Sequence, residues 1–437
     1  MSNIIHSLNR MQNVVKNKTH LYLKKEDSAL IVSATGTGKT EMATKIIMSL
    51  PKATKVLWLT HQNELVKQVA ERLTIKTDRY ISIFNSEFKE LGGDVVIASI
   101  QSLSKPNVLK KISRNAFDYV FVDECHHAPA STWLRTIQHF NCKKIGLTAT
   151  YKRPDGLSVS DIFGNPIFEL PFEKAQEKGF LAKDQNRLIL TNSVINGVSI
   201  LGRDYTAKQL DKLYTSKDRN NIIVKAYLKH GRAAIKKAGM KPKGVCFCIN
   251  IDHAIRMSEM FNKHGISSSF VCGNSRKQSV LERDRIMDSF RTTNDIEILC
   301  VVNIFNEGID IPEANVGLMA RPTRSNIIYQ QQVGRIARPD EGRKKFFVVL
   351  DFVDVTSQEY SGYVMGSLKQ VRAVHSQIIT EYVSEADPVV INKRVDNIMQ
   401  TVRQFENIID LPVNDQNKKE HLEALARGNV LKRKQAL

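Results

Sequence analysis

Ala29-Leu-Ile-Val-Ser-Ala-Thr-Gly-Thr-Gly-Lys-Thr40 decides how the rest of the chain is read. A short run of buried-type apolar residues, Ala29 to Val32, predicts a strand, and the pattern after Thr40 predicts a helix. A turn between a strand and a helix lets successive backbone N–H groups cradle phosphate oxygens. Gly36 and Gly38 allow tight backbone conformations without a Cβ clash, Lys39 supplies a point charge for the β and γ phosphates, and Thr40 offers a hydroxyl to Mg²⁺. Thr35 and Thr37 complete the loop, and Ser33 stands where the general pattern has its first glycine. A purely structural glycine-rich turn has no use for the Lys-Thr ending.

The alternation continues in both directions along the chain. Lys55 to Leu59, Asp94 to Ala98, Tyr119 to Val122 and Lys144 to Leu147 are short β-branched runs, each followed by a helical pattern. That rhythm means βαβ units and a parallel sheet. It restarts at Gly244 to Ile249 and continues through Ser269 to Val271, Glu297 to Val302, Val316 to Met319 and Lys345 to Leu350, which predicts a second α/β lobe. Expected domains are therefore a first lobe at 1–180, an interlobe connection at 181–240, a second lobe at 241–354 and a helical basic extension at 355–437. Within the connection, Arg187 to Leu190 reads as a strand and the segment with Lys229, Arg232, Lys236 and Lys237 as a helix. After Asp351 the strand pattern is expected to stop.

Two further clusters carry chemistry. Phe121-Val-Asp-Glu-Cys-His126 puts adjacent carboxylates directly after an apolar run, at the strand end where open α/β sheets bind ligands. Asp123 can hold Mg²⁺ through water, and Glu124 can orient and deprotonate an attacking water, because phosphoryl transfer needs positioning and charge compensation. His126 and His127 are adjacent and lack a partner cluster, so metal ligation is the weaker reading. Gln331-Gln-Val-Gly-Arg-Ile-Ala-Arg338 places Arg335 and Arg338 three apart, on one face if the segment is helical. Guanidinium groups from the second lobe would stabilise charge on the transferred phosphoryl group and make hydrolysis conditional on closure. The plain alternatives are an N-cap pair for the carboxylates and a solvated basic helix face for the arginines.

In 437 residues, 64 Lys and Arg stand against 45 Asp and Glu, for a formal net charge of +19. A polyanionic partner follows naturally, with a generally solvated basic surface as the alternative. The start lacks a basic region followed by an apolar core, and no stretch approaches the roughly 18 apolar residues of a membrane span. A soluble protein of a bacterial or phage-infected host cytoplasm is expected, without membrane association. The six cysteines form no CxxC pair and have no histidine at finger-like spacing, so no structural metal is expected. Cys246 and Cys248 alternate on one face of a strand and read as packing.

The ordered blocks resemble the superfamily 2 helicases over residues 8 to 354. Ser33 to Thr40 is similar to motif I, Thr60-His-Gln-Asn-Glu-Leu65 to Ia, Ser99-Ile-Gln-Ser-Leu103 to Ib, Asp123 to His126 to a DEAH-like box, and Thr148-Ala-Thr150 to III. Asn303 through Glu307-Gly-Ile-Asp-Ile-Pro312 looks like motif V and Gln331 to Arg338 like VI. Asp252-His-Ala254, Arg321-Pro-Thr323 and Gln331-Gln332 look most like the restriction-subunit and RadD-like branch and the phage branch-migration helicases of UvsW type. Tyr151 replaces the proline that usually follows motif III, and Cys125 replaces an alanine in the box.

The resemblance implies two tandem RecA-like parallel-sheet lobes with a small helical C-terminal extension. It implies an ATP- and Mg²⁺-dependent, nucleic-acid-stimulated ATPase, with a triphosphate bridging the two halves. Lys39, Asp123, Glu124, Gln331, Arg335 and Arg338 would be catalytic. Gln12, Thr35, Gly36, Thr37, Gly38, Thr40, Gly308 and Asp310 would bind nucleotide, with Gln12 reading adenine. His126, Thr148 and Thr150 would couple the lobes. Thr60, His61, Gln62, Ser99, Gln101, Asn250, Asn303, Arg321 and Thr323 would track a strand by its phosphates, without reading bases. The expected substrate is forked, branched or single-stranded DNA, handled by a monomer in recombination, repair or replication. An RNA helicase of the same architecture, a restriction-complex motor subunit and an ATP-gated DNA clamp remain open.

Overall fold

A computed structural model describes residues 2–61, 63–150, 158–195, 210, 215–273, 277–293, 295–302, 311–323, 326–340, 346–356 and 379–382. It divides into two compact units, one built on Met1–Leu181 and the other on residues from Ala182 onward.

The first unit is a parallel sheet made of β1 (Ser28–Ser33), β2 (Val56–Thr60), β3 (Ile81–Phe84), β4 (Val95–Ser99), β5 (Tyr119–Val122), β6 (Lys143–Thr148) and β7 (Pro166–Leu170). Their order across the sheet is β3-β4-β2-β5-β6-β1-β7. The central strands β2 and β4 are buried at every position. Strands covered on both faces must read as continuous apolar runs, which is why they were visible in the sequence. β3 and β7 sit at the edges and were not anticipated: Ile81-Ser-Ile-Phe84 is too short to carry a pattern, and β7 opens with a proline, tolerated at a strand start. Helices α1 (Ser2–Tyr22), α2 (Lys39–Met48), α3 (Asn63–Lys76), α4 (Ile100–Leu103), α5 (Pro106–Leu109) and α6 (Ser131–His139) connect and cover the strands. α2 turns Met42, Ala43, Ile46 and Ile47 inward, the i, i+1, i+4, i+5 stripe of a core-facing helix.

The second unit repeats the plan. β8 (Lys183–Ile195), β9 (Gly244–Phe247), β10 (Ser268–Cys272), β11 (Ile298–Val302), β12 (Val316–Met319), β13 (Phe346–Thr356) and β14 (Ile379–Tyr382) form a parallel sheet in the order β10-β11-β9-β12-β13-β8-β14. The stretch read as an interlobe connection supplies β8 and the helical residues 217–237 to this unit, where Ile222, Ile223, Tyr227 and Ile235 enter the core. The strand pattern also runs past Asp351: β13 continues to Thr356, and β14 pairs with β8. Asp351 is itself a buried strand residue, so its charge marks no boundary. The helical extension expected at 355–437 falls largely outside the described residues.

Cys246 and Cys300 face each other across β9 and β11, with Cys248 just beyond, and their sulfur atoms lie within 4.8 Å of one another in the core. Burial pushes the Cys246 and Cys248 thiols well up, which keeps them protonated. No described helix is long and apolar enough to cross a membrane.

Trp58 in β2 is fully buried and stacks on Phe121 of β5, centroids 5.8 Å apart and 6° from parallel. Its indole N–H has no acceptor among the described residues. Truncation to alanine should cost about 3–5 kcal/mol. Trp58→Phe should cost far less, because it keeps the stack and removes a buried orphan donor. Both tryptophans of the chain, Trp58 and Trp133, lie in this unit, so Trp133 fluorescence during denaturant unfolding reads the lobe in either variant.

Candidate nucleotide-binding site

Register places the chemistry. β1 pairs with β6 so that Val32 lies beside Thr148, and β2 pairs with β5 so that Leu59 lies beside Val122. Asp123 then follows immediately, its N–H donating to Leu59 O at 2.9 Å. β2 also pairs with β4, setting Thr60 beside Ser99. Read across the carboxyl edge, the order is Ser99, Thr60, Asp123, Thr148, Ser33, so the hydroxyl pair and the phosphate loop flank the carboxylates.

The phosphate loop has the predicted shape. Gly36 and Gly38 adopt left-handed φ of 90° and 88°, which side chains disfavour, and Gly38 caps the N-terminus of α2. Ser33, the departure from the glycine pattern, ties the loop: its hydroxyl lies 2.6 Å from Thr37 Oγ1, which itself donates to Ala34 O at 2.6 Å. Gln12 is buried against the loop, its amide nitrogen 3.3 Å from where a Cβ on Gly38 would fall. A glutamine from α1 is thereby brought to the loop it precedes by more than twenty residues of chain.

Lys39 and Glu124 meet as an ion pair at 3.6 Å, the two side chains 9% and 12% exposed. Glu124 is the non-glycine residue with positive φ, at 48°, among the described residues. Backbone held in this sparsely populated region costs of order 1–3 kcal/mol and persists where the surroundings over-determine it. The same turn lets Asp123 Oδ1 accept the Glu124 N–H at 3.1 Å. His126 Nδ1 lies 3.4 Å from Glu124 Oε2 and 3.2 Å from Thr148 Oγ1. The Thr148 hydroxyl donates to Thr150 O at 2.7 Å, so its oxygen is left to accept, and the His126 proton belongs on Nδ1. Lys39, Glu124, His126, Thr148 and Thr150 thus form one chain of contacts. Thr40 and Asp123 carry the hydroxyl and carboxylate oxygens that a hard cation such as Mg²⁺ takes, which fits the expected metal.

Thr60 and Ser99 are each 1% exposed, and their hydroxyls have no hydrogen-bond partner among the described residues. The Gln101 amide donates to His61 O, and the His61 ring stacks on His127 at 5.1 Å. His127 also lies 6.0 Å from Trp133 and 4.2 Å from His126, and so joins the hydroxyl end of the edge to the carboxylate end. The sequence marked His127 only as a rejected metal ligand, because a ring stack between three separate elements leaves no spacing signature.

In the second unit, α13 (Asn326–Ile336) carries Gln331, Gln332 and Arg335, all buried; it follows α7 (Ser160–Phe163), α8 (Phe172–Glu177), α9 (Lys217–Ala226), α10 (Ala233–Lys237), α11 (Ile251–Lys263) and α12 (Val280–Thr292) in chain order. Arg338 lies beyond the helix end, so the two arginines do not share a helical face as their spacing suggested. Asn250 caps α11, its side-chain oxygen accepting the His253 N–H at 2.8 Å. Arg321 donates its backbone N–H to Phe247 O at 2.8 Å, and Thr323 is buried. Gln62, Asn303, Gly308 and Asp310 lie outside the described residues.

A phosphate loop and an acidic box on adjacent parts of one parallel edge, followed by a second parallel-sheet unit, define the two-lobed core of the superfamily 2 helicases. Residues 5–153 match the family described as Type III restriction enzyme, res subunit, and residues 223–340 the helicase conserved C-terminal domain. The chain carries the domain pair of a superfamily 2 helicase related to restriction subunits. It is 24% identical over 344 residues to IRC3 of Saccharomyces cerevisiae, named as an ATP-dependent helicase, covering 74% of this chain and 48% of that protein. To the Type I restriction enzyme EcoAI endonuclease subunit of Escherichia coli it is 25% identical over 362 residues, covering 76% of this chain and 44% of the relative. The chain therefore spans about half the length of these relatives. To the DNA 3'-5' translocase XPB2 of Sulfurisphaera tokodaii it is 24% identical, covering 72% of this chain and 75% of XPB2. Among solved structures, the Type ISP restriction-modification enzyme LlaBIII bound to DNA superposes with a TM-score of 0.62 at 18% identity, over 88% of this chain and 32% of that one. Dbp5 of S. cerevisiae bound to RNA and ADP BeF3 gives 0.54 at 15% identity, over 86% and 89%.

Cys125 packs its sulfur toward Gly146, where a Cβ would fall 2.9 Å away. Burial, then the nearby Glu124 and Asp123 carboxylates, push its thiol well above the ordinary range, so it stays neutral and takes no part in proton or nucleophile chemistry. Cys125→Ala should leave ATP hydrolysis within about twofold of wild type and cost about 1 kcal/mol of stability, because removing the sulfur leaves a small void. Steady-state phosphate release and the fluorescence-read unfolding curve check both values.

Proposed function

We propose that this chain is an ATP-dependent DNA helicase or translocase that unwinds or branch-migrates forked and junction DNA. The observation that carries this is the order along the carboxyl edge of the first sheet. Buried, unpartnered Thr60 and Ser99 hydroxyls stand at one end, the phosphate loop at the other, and the Asp123–Glu124 turn between them. Unpartnered buried hydroxyls cost free energy unless a ligand supplies the bond, and phosphate oxygens of a strand lying on this edge would supply it.

In the hydrolytic cycle the loop N–H groups and Lys39 take the triphosphate. Lys39 leaves its contact with Glu124 for the β and γ phosphates, and Glu124 is freed to take a proton from water. Mg²⁺, held by Thr40 and Asp123, would neutralise charge on the phosphate oxygens when bound. His126 gives its Nδ1 proton to Thr148 and packs the same ring nitrogen 3.4 Å from Glu124 Oε2, which ties the Glu124 turn to the neighbouring strand end. Gln331, Arg335 and Arg338 of the second lobe are the groups that the helicase resemblance implies for charge on the transferred phosphoryl group. The names of XPB2 and of the DNA-bound LlaBIII favour DNA. The restriction-subunit relatives favour a second reading, a motor subunit working beside a nuclease.

Glu124→Gln should lower ATP turnover by about 10³-fold and leave nucleotide affinity within a few-fold, because the carboxylate acts on water and not on binding. Phosphate release and a fluorescent-nucleotide titration separate the two. DNA-stimulated ATPase should fall steeply with salt, the affinity losing about 0.7 log units per log unit of salt for each single-strand phosphate contact. A comparison of stimulation and unwinding on forked DNA, four-way junctions, linear duplex and RNA tests the substrate, and activity confined to RNA would overturn it.

A further inference from the structure

Away from the nucleotide edge, the segment that follows Ser99 forms a groove against α6. α5 and the turn after it lie along one side, α6 along the other, enclosing about 500 Å³. The two walls are stitched together. Arg135 Nη2 donates to Ser104 O at 3.3 Å, Arg114 Nε to His139 O at 3.1 Å, and the Asn141 N–H to Arg114 O at 2.8 Å. Each guanidinium thereby spends one donor on the framework, which restrains the side chain and lowers the entropy it has to lose on binding a ligand.

The charge of this face is one-sided. Residues 95–117 include Lys105, Lys110, Lys111 and Arg114 and not one Asp or Glu, and residues 125–150 are equally free of acids. Asp118, the acid that comes next, is committed to the Lys55 N–H at 2.7 Å. Lys110, Arg114 and Arg135 line the groove and are exposed. Ser131 and Gln138 add neutral donors, while the apolar lining is limited to Pro106, Leu109 and a half-buried Leu134. A peptide docking surface relies on aromatic or deep apolar anchors, and no aromatic ring apart from the His139 imidazole lines this groove. Fixed cations with hydroxyl and amide donors around a small apolar strip suit a sugar–phosphate backbone instead, the sugar resting on the leucines and the phosphates on the cations.

We infer that the α5–α6 groove is a second nucleic-acid contact, one that takes the phosphate backbone of a duplex arm while the carboxyl edge holds the single strand. The inference rests on the reading of the chain as a nucleic-acid motor and adds where the duplex portion of a fork is held. α4 joins the two places directly: it starts from Ser99 at the carboxyl edge and ends beside Ser104, whose carbonyl Arg135 holds.

The test uses the full chain and the double variant Lys110→Gln/Arg135→Gln, which leaves the Arg114 link between the walls in place. Equilibrium binding is measured on a forked DNA and on its isolated single strand across a salt series, with the fluorescence-read unfolding curve as a check that the lobe is intact. Fork affinity should fall roughly tenfold, with the fork's salt slope reduced by about 0.9 for each duplex phosphate the variant no longer neutralises. Single-strand affinity and single-strand-stimulated ATPase should stay at the wild-type level. Unchanged fork affinity and slope would overturn the inference, as would an equal loss on both DNAs. An acidic peptide that binds wild type but not the variant, with fork binding unaffected, would instead make the groove a protein-docking site. Because binding is read without hydrolysis, a chain with no DNA-stimulated ATPase at all would defeat the motor reading through a different measurement.

Discussion

Parallel pairing of β5, β6 and β1 is the constraint from which the rest of the first lobe follows. In a parallel sheet all strands present their carboxyl ends to the same edge, so groups far apart in the chain arrive side by side with no further folding information. Lys39 reaches Glu124 because two such ends are separated only by β6, and Thr148 at the end of β6 is where His126 finds its acceptor. A slip in that register would break the contact between the phosphate loop and the acidic box, and the neighbouring β2, buried at every position, pins β5 through packing such as the Trp58–Phe121 stack.

The strain at Glu124 belongs to the same arrangement. A left-handed turn directly after β5 reverses the chain sharply enough to place Asp123 and Glu124 on the edge and still direct His126 back toward β6. The turn is supported by Asp123 accepting the Glu124 N–H and by Cys125 filling the space beside Gly146. The cysteine that departs from the family's alanine is therefore a packing residue, and the serine that departs from its glycine is a tether for the phosphate loop. Both departures sit where a side chain can be accommodated without touching the reacting groups.

From particular elements one can see why some of this was legible in advance. The strand runs of both lobes, the phosphate loop and the acidic box were readable because each is local: burial on both faces forces a continuous apolar run, and phosphate binding forces glycine, lysine and threonine into one short stretch. β3 and β7 were missed because edge strands are half-buried and carry no such run. Arg335 and Arg338 would share a face only in a helix running through both, and α13 ends at Ile336, short of Arg338, which Pro339 follows and so keeps out of helical backbone. β14 was missed because its partner β8 lies almost two hundred residues earlier in the chain.

The sequence by itself determined the class of fold and where the phosphate loop and the acidic box stand in it, since both are written in short contiguous patterns with a direct physical cause. Only the tertiary structure decided which groups meet: the Lys39–Glu124 pair, the His61–His127–Trp133 stack, the orphaned hydroxyls of Thr60 and Ser99, and the acid-free groove between α5 and α6. These depend on strand order and on the packing of helices across a sheet. Such relations join residues distant in sequence through space alone, and no local pattern has reason to record them.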